Sequence, residues 1–413
     1  MSTIRVSKVE SAESPSNNIE LTSSGIVVSG VTTATNIDVT SINNLNYPTA
    51  GPLSNRNLII NGAMQVAQRG TTGTSQNGNN NWVVDRFKGN IGTSPAVITH
   101  SQETTGAPDG FQNWLKVVVT TADTSIVATD YGTILQQVEG YNFAHVNYGT
   151  SNAQEVTVSF KFKTNKAGTY CMIHRNNAAD RNYLHEFTPV ADGNWQTITY
   201  TVPGDTTGTW DKTTNIGWRW ELTIANGTSY QSSTVGSWFG GSYYHSTPNQ
   251  VNFLDSTSNE LGITGVQVEV GSKATPFEHE SYGQTLEKCK RYLQLVNPNS
   301  GGGYALNHWM FRDGGNWILN FWHYPEMRTG PSLTAVGASG LTGLNVNQTS
   351  LYNLNTQGVI TFVNGTGQWN VTQATPQRST LRFTGTTLQG VSGNIAGCDE
   401  MLANTKIFVN AEL

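Results

Sequence analysis

Charge is scarce in this sequence. Asp, Glu, Lys and Arg make up 12% of 413 residues, about half the usual share. The net charge of -5 provides no broad basic field, which excludes nucleic-acid binding by phosphate neutralisation. No run of about 18 apolar residues occurs, so membrane insertion is not expected. The opening MSTIRVSKVESAESPSNN lacks an apolar core of the kind a secretory signal needs. Cysteine is nearly absent too. Cys171, Cys289 and Cys398 are odd in number and share no short spacing, so they read as small buried hydrophobes rather than a disulfide framework, zinc site or nucleophile. There is no G-x-S-x-G, no H-E-x-x-H and no phosphate-cradling loop. The eight His are scattered, and His174, His185 and His245 have no ligand spacing. No metal and no cofactor are expected.

Helix signal is almost as scarce. One segment carries it, with Ser281 and Gln284 placed as a capping box and Tyr282, Leu286, Cys289, Leu293 and Val296 recurring at one-face spacing. Lys288, Lys290 and Arg291 crowd its later turns, where cations suit the carbonyl end, and Asn297-Pro298 stops it. A lone helix between two β regions reads as a strut at a domain boundary.

The remainder is mainly β. In EVTVSFKFK, Val156, Val158, Phe160 and Phe162 alternate with Thr157, Ser159, Lys161 and Lys163; in IGWRWELTI, Ile216, Trp218, Trp220, Leu222 and Ile224 alternate with Gly217, Arg219, Glu221 and Thr223. Period-two alternation marks strands with one buried face. WLKVVVT, TILQQVEG, GTYCMIH, WQTITYTVP and ITGVQVEV add further strands between Gly, Asn, Asp and Pro clusters. The expected fold is a jelly-roll sandwich over 55–280, a connecting helix over 281–297 and a second β domain over 298–413. In that last part Asn364-Gly365 signals a hairpin between GVITFV and QWNVT. Residues 1–54 hold too few apolar side chains for a core. Their strand-like spacing of Ile19, Leu21, Ile26, Val28, Ile37, Val39 and Ile42 reads as an attachment and oligomerisation arm that orders against partners.

NRNLIINGAMQVAQRG at 55–70, WVVDRF at 82–87, ITGVQVEVGSKATPFEHESYGQTLEKCKRYLQ at 263–294 and YPEMRTGPSLT at 324–334 together resemble a family of tail-fibre-like or minor structural proteins of tailed phages, frequent in marine phages. The resemblance spans roughly residues 55 to 335. It implies a carbohydrate-binding-module-like sandwich closed by the ATPFE strand end and the CKRY helix in a virion protein, and a homotrimer as fibres of this kind usually are; it implies nothing firm about residues 1–54, whose reading as an arm that attaches to other virion proteins comes from their own spacing. It carries no catalytic residues. Within the motifs, Leu58, Ile59 and Ile60 read as a short strand before an Asn61-Gly62 turn, and Asp85 and Arg86 as a semi-buried charge pair with Arg69 or Glu278 as partners. The composition of an extracellular β-protein, without secretion signal or disulfides, fits a particle assembled in a host cytoplasm.

Eleven Trp and fifteen Tyr raise the possibility of host-surface polysaccharide as a partner, since sugar rings stack on exposed aromatic faces. Trp218 and Trp220 belong to a core face. Trp210 in TTGTWDKTTN, and Trp238, Tyr243 and Tyr244 in VGSWFGGSYYHSTP, lie in Gly-rich stretches of the kind that carries binding loops, and are the glycan-contact candidates; the same rings could equally fill a subunit interface. A glycosidase needs two carboxylates roughly 5–10 Å apart. Asp255 with Glu260, or Glu139, Glu155, Glu221 and Glu269, are available, but no spacing pairs them. Glu221 and Glu269 fall on polar strand faces, where solvated charge is the ordinary reading, and NFLDSTSNE reads as a turn rather than a calcium loop. The expectation is a non-enzymatic fibre subunit that presents glycan-binding loops. The alternatives are a purely structural collar, baseplate or capsid-decorating subunit, and a polysaccharide-degrading tailspike.

Overall fold

Alternation decides most of the architecture. The computed structural model describes residues 8–10, 18–22, 25–28, 41–42, 45–46, 54–296, 308–313, 316–336, 345–354, 360–384, 395–401 and 406–412. The chain divides into two units, Met1–Tyr47 and Pro48–Leu413. In the first, β1 (Lys8–Glu10), β2 (Asn18–Thr22) and β3 (Gly25–Val28) form an antiparallel sheet, and β4 (Ser41–Ile42) pairs with β5 (Leu45–Asn46). β2 pairs antiparallel with β3, and Ser23 and Ser24, expected to turn between them, lie outside the described residues. Ile37, Val39 and linker residues 49–53 lie outside the described residues.

The second unit begins with thirteen strands. In chain order these are β6 (Thr72–Gln76), β7 (Asn81–Trp82), β8 (Lys88–Gly92), β9 (Val97–Glu103), β10 (Trp114–Thr121), β11 (Tyr131–Glu139) and β12 (Val156–Thr164). There follow β13 (Tyr170–Arg175), β14 (Arg181–Phe187), β15 (Gln196–Val202), β16 (Ile216–Asn226), β17 (Trp238–Gly240) and β18 (Glu260–Val270). They form a six-stranded sheet, β15-β12-β18-β10-β9-β6, and a seven-stranded sheet, β17-β14-β13-β16-β11-β8-β7. The chain passes repeatedly between the two antiparallel sheets. The fold is a jelly-roll sandwich.

Its core lies between the sheets. Val156, Val158, Phe160 and Phe162 of β12 meet Trp218, Trp220, Leu222 and Ile224 of β16 in one buried cluster. Phe160 and Trp220 touch edge to face at 5.6 Å. Cys171 and Cys289 are buried free thiols; the side chain of Cys398 lies outside the described residues.

Beyond a single turn, α1 (Gly140–Phe143), the sandwich leads into α2 (Tyr282–Lys290). The capping box is present: Gln284 N–H donates to Ser281 Oγ at 3.4 Å and Ser281 N–H to Gln284 Oε1 at 3.1 Å. Ser281→Ala is expected to cost about 1 kcal/mol of stability in urea unfolding. The helix is shorter than its apolar spacing predicts. Leu293–Val296 is instead strand β19, and the buried face of α2 is Thr285 and Cys289 while Tyr282 is exposed. An edge offered by a distant segment accounts for the difference, because β19 pairs with the last strand of the chain.

The C-terminal strands are β20 (His308–Asp313), β21 (Asn316–Trp322), β22 (Ser332–Val336), β23 (Asn345–Leu354), β24 (Ile360–Ala374), β25 (Arg378–Thr384), β26 (Ile395–Met401) and β27 (Lys406–Asn410). Six of them close a barrel, β20-β21-β25-β24-β23-β26, while β19, β27 and β22 form a small sheet. The expected hairpin at Asn364-Gly365 does not form. Both residues pair within the long strand β24, opposite Ser350 and Thr349, because β24 must run the full length of its neighbour β23.

The four motif blocks meet around this junction. Leu58–Ile60 is a turn-bounded segment rather than a strand; Leu58 N–H donates to Val268 O, and Val266 N–H to Gly62 O. Gly62 is required there, because a Cβ would lie 2.1 Å from the Val266 carbonyl oxygen. Asp85 takes two hydrogen bonds from Gln68. Arg86, 1% exposed, pairs with Glu412 and lies 3.6 Å from the ring centre of Tyr292. Arg69 joins Glu412, whereas Glu278 accepts from the backbone of Asn55 and Asn57, so the partner anticipated for Arg86 differs. Arg328 of the fourth motif donates to Thr214 O, Ala411 O and Glu412 O. These motifs therefore bind sandwich, helix and C-terminal strand together.

Candidate functional site

The two tryptophans expected at an exposed surface are structural. Trp210 is 6% exposed and packs edge-on against Tyr148 at 4.8 Å and Trp238 at 5.2 Å, with its indole N–H directed at Thr207 O. Trp238 sits in β17, half-buried, donating to Pro203 O at 2.6 Å. Both extend the core at one end of the sandwich, because an indole beside an open edge of apolar rings is better packed than solvated. Tyr243 and Tyr244 differ. Tyr243 is 58% exposed at φ +60°, and half-buried Tyr244 rests edge-on against Phe239 at 5.3 Å. They occupy the rim of another surface.

That surface is the outer face of the seven-stranded sheet. Since Trp218, Trp220, Leu222 and Ile224 face the core, Arg219, Glu221 and Thr223 must face outward. Register places Leu184, Ile173, Glu221, Leu135, Lys88 and Trp82 on one rung across six strands. One rung along, Gln137 opposes Arg219 and Asn182 opposes Arg175, and continuing the β13–β16 register sets Arg175 beside Arg219. Beyond the third rung, Tyr131 stacks on His245 at 4.7 Å, with Tyr230 edge-on to both. Gly92 opposite Tyr131 is needed for this, since a Cβ there would fall 2.1 Å from the tyrosine ring.

Glu221 corrects the expectation of a solvated carboxylate: it is fully buried. Arg175 donates to Glu221 Oε2, and His245 Nδ1 lies 2.9 Å from Oε1. Burial opposes the charge of Glu221, but Arg175, His245 and Arg219 outweigh it and hold the carboxyl well below the usual range. Burial also pushes His245 down, so it is a neutral ring donating Nδ1–H. The segment carrying it folds over the sheet, with Thr223 Oγ1 donating to His245 O.

Around this locked pair the face is unfinished. Asn182 Oδ1, Arg175 Nε, Arg219 Nε and Gln137 Oε1, on four neighbouring strands of one rung, are buried atoms without a hydrogen-bond partner, as is Thr133 Oγ1 two rungs away. At about 4.8 Å per strand the row extends about 14 Å. Native interiors rarely leave such atoms unmatched. The row is closed at Asn182 and Arg175, beneath the loop bearing Tyr244, and half-open at Arg219 and Gln137.

The carboxylates that could serve hydrolysis are engaged elsewhere. Asp255 pairs with Lys166, Glu260 with Lys116, Glu139 with Arg291, Glu269 with Arg56 and Glu221 with Arg175. Glu155 is exposed. Strand alternation alone assigns Arg219, Glu221 and Thr223 to one face; the residues that sequence reasoning missed, Gln137, Arg175 and Asn182, join them only through strand order.

No family profile matches this sequence, and no curated protein matches it. Among solved structures, the chain is similar to the enzymatically active domain of tailspike protein 4 of bacteriophage CBA120, with a TM-score of 0.27 and 10% identity over 52% of this chain and 21% of that one. It is also similar to the family 11 carbohydrate-binding module of a Clostridium thermocellum cellulosomal cellulase, with a TM-score of 0.25 and 14% identity over 50% of this chain and 100% of that one. A third is the module TmCBM61, solved with β-1,4-galactotriose, with a TM-score of 0.24 and 8% identity over 53% of this chain and 99% of that one. This chain spans about a fifth of the length of the tailspike domain. No helix among the described residues is long and apolar enough to cross a membrane.

Proposed function

We propose that this chain is a virion subunit of a phage tail or fibre that holds host-surface glycan on the outer face of its seven-stranded sheet. One observation carries the glycan reading: the row Asn182, Arg175, Arg219 and Gln137, with unmatched acceptors at its two ends and unmatched donors between them, accessible to a ligand at Arg219 and Gln137. A sugar chain presents hydroxyls that both donate and accept, and its rings stack on aromatic faces; Tyr243 and Tyr244 stand at the rim for that purpose. The phage assignment rests on the four sequence motifs, the trimeric state on the usual form of such fibres, and attachment through residues 1–54 on the strand-like spacing of their few apolar residues. The role is binding rather than hydrolysis, because five of the six candidate carboxylates are held by cations.

The test is retention of the purified chain on immobilised envelope polysaccharides of candidate hosts. Gln137→Ala with Tyr243→Ala is expected to weaken retention at least about tenfold, a loss of about 1.4 kcal/mol, without changing the unfolding temperature. Trp238→Ala is expected to lower the unfolding temperature instead. Undiminished retention by the first variant removes this face as the site. Immunogold labelling of particles with antibody to residues 300–413 tests the location: fibre-tip label supports adsorption, and label confined to neck, baseplate or capsid wall supports a structural subunit.

A further inference from the structure

The face just described is more positive than the chain that carries it. The whole sequence has a net charge of -5, yet Lys88, Arg175 and Arg219 lie together on this one surface. Its acidic groups are already occupied. Glu221 is bound to Arg175 and His245, Glu186 to Thr247 and Asn249 at the far end, and Glu412 to Arg69 and Arg86 beside Trp82.

Two cations remain. The Arg219 guanidinium makes no side-chain hydrogen bond and no ion pair among the described residues, and its Nε is buried and unmatched. The Lys88 ammonium makes no hydrogen bond or ion pair among the described residues; the ring of Trp82 lies 5.6 Å away, and Glu412 and Glu221, each held by arginine, act on it without contact. Both side chains are half-buried. They flank Leu135 and Gln137 of β11 from the strands on either side, one rung apart. Long cationic side chains ordinarily extend into water or find a carboxylate; two held half-desolvated on either side of one strand, neither in an ion pair among the described residues, are preorganised for an anion between them. Burial pulls both below their ordinary pKa values, Arg219 to about 10; at Lys88 the Glu412 carboxylate partly offsets this, while Arg219 adds to it. An arriving negative group relieves that repulsion.

We propose that the glycan held on this face is acidic, its carboxylate or sulfate lying between Lys88 and Arg219 while its hydroxyls meet the row ending at Gln137. This rests on the glycan-binding reading above and adds the charge of the ligand to it.

Matched polysaccharides separate the two. Polygalacturonate and its methyl ester, and dextran sulfate and dextran, are compared by affinity electrophoresis with the full chain. The acidic member of at least one pair is expected to bind at least about tenfold more tightly than its neutral partner, weakening with added KCl. Lys88→Gln with Arg219→Gln should abolish that difference, and the fold should survive because neither side chain holds a hydrogen bond among the described residues. Lys161→Gln on the opposite sheet should leave binding unaltered. Equal binding of acidic and neutral members overturns the charge inference and leaves a neutral-glycan reader. Acidic binding that the double variant does not reduce places the anion elsewhere and also overturns it. Binding of no member overturns this inference, and the reading beneath it falls separately if the envelope polysaccharides are not retained either.

Discussion

Arg175→Met is expected to destabilise the sandwich by roughly 3–5 kcal/mol, because it leaves Glu221 charged and buried without its strongest partner. The pair is enclosed on every side: the Glu221 side chain has no exposure and that of Arg175 has 3%. His245 continues to donate to Oε1 but, being neutral, cannot balance the charge. Adding Glu221→Leu removes the stranded carboxylate, so the double variant should be closer to wild type than Arg175→Met alone. Urea unfolding of the four proteins in this cycle measures the coupling. A single variant within about 1 kcal/mol of wild type, or strict additivity, would show that the pair contributes little. The same substitution removes a member of the glycan row, which is why stability rather than binding is the measurement.

Stability should also fall steeply in mild acid. His100 and His174 are buried, and burial lowers them to about 4 and about 3. His174 is held neutral between the Arg219 carbonyl, to which Nδ1–H donates at 2.9 Å, and the Tyr200 hydroxyl, which donates to Nε2 at 2.8 Å. His100 Nε2 meets Ser75 Oγ at 2.9 Å. Both folded values lie below the unfolded value of 6.5, so the unfolded chain binds more protons as pH drops. The stability is fully present above pH 6.5 and is lost progressively as pH falls toward the folded values. At pH 5 each imidazole costs about 2 kcal/mol, and the two together about 4. Glu221 titrates below this window, and His245 acts in the same direction. Unfolding free energies between pH 8 and pH 5 should show the loss, and His100→Gln should remove about 2 kcal/mol of it at pH 5. A flat profile would mean that these rings are protonated in the folded protein.

Much of the sandwich was legible because period-two alternation is a local property. Val156 to Phe162 and Trp218 to Ile224 declare their buried faces without reference to any neighbour, and Ser281 with Gln284 declares a helix start within four residues. Errors arose where a distant edge competed. Leu293 and Val296 keep helical spacing but are drawn into β19 by the C-terminal strand β27, and Asn364-Gly365 is a turn signal overridden inside β24.

The candidate site divides in the same way. Sequence determined that this is a sparsely charged β-protein, that Arg219, Glu221 and Thr223 share one strand face, and that Tyr243 and Tyr244 lie apart from the core strands. Tertiary structure alone decided that Trp210 and Trp238 pack inward, that Glu221 is a buried ion-pair member, and that Asn182, Arg175, Arg219 and Gln137 form one row. Strand order is the physical reason. Alternation fixes which way a side chain points, but pairing across a sheet joins residues far apart in sequence, and only the closed sandwich determines which of them share a rung.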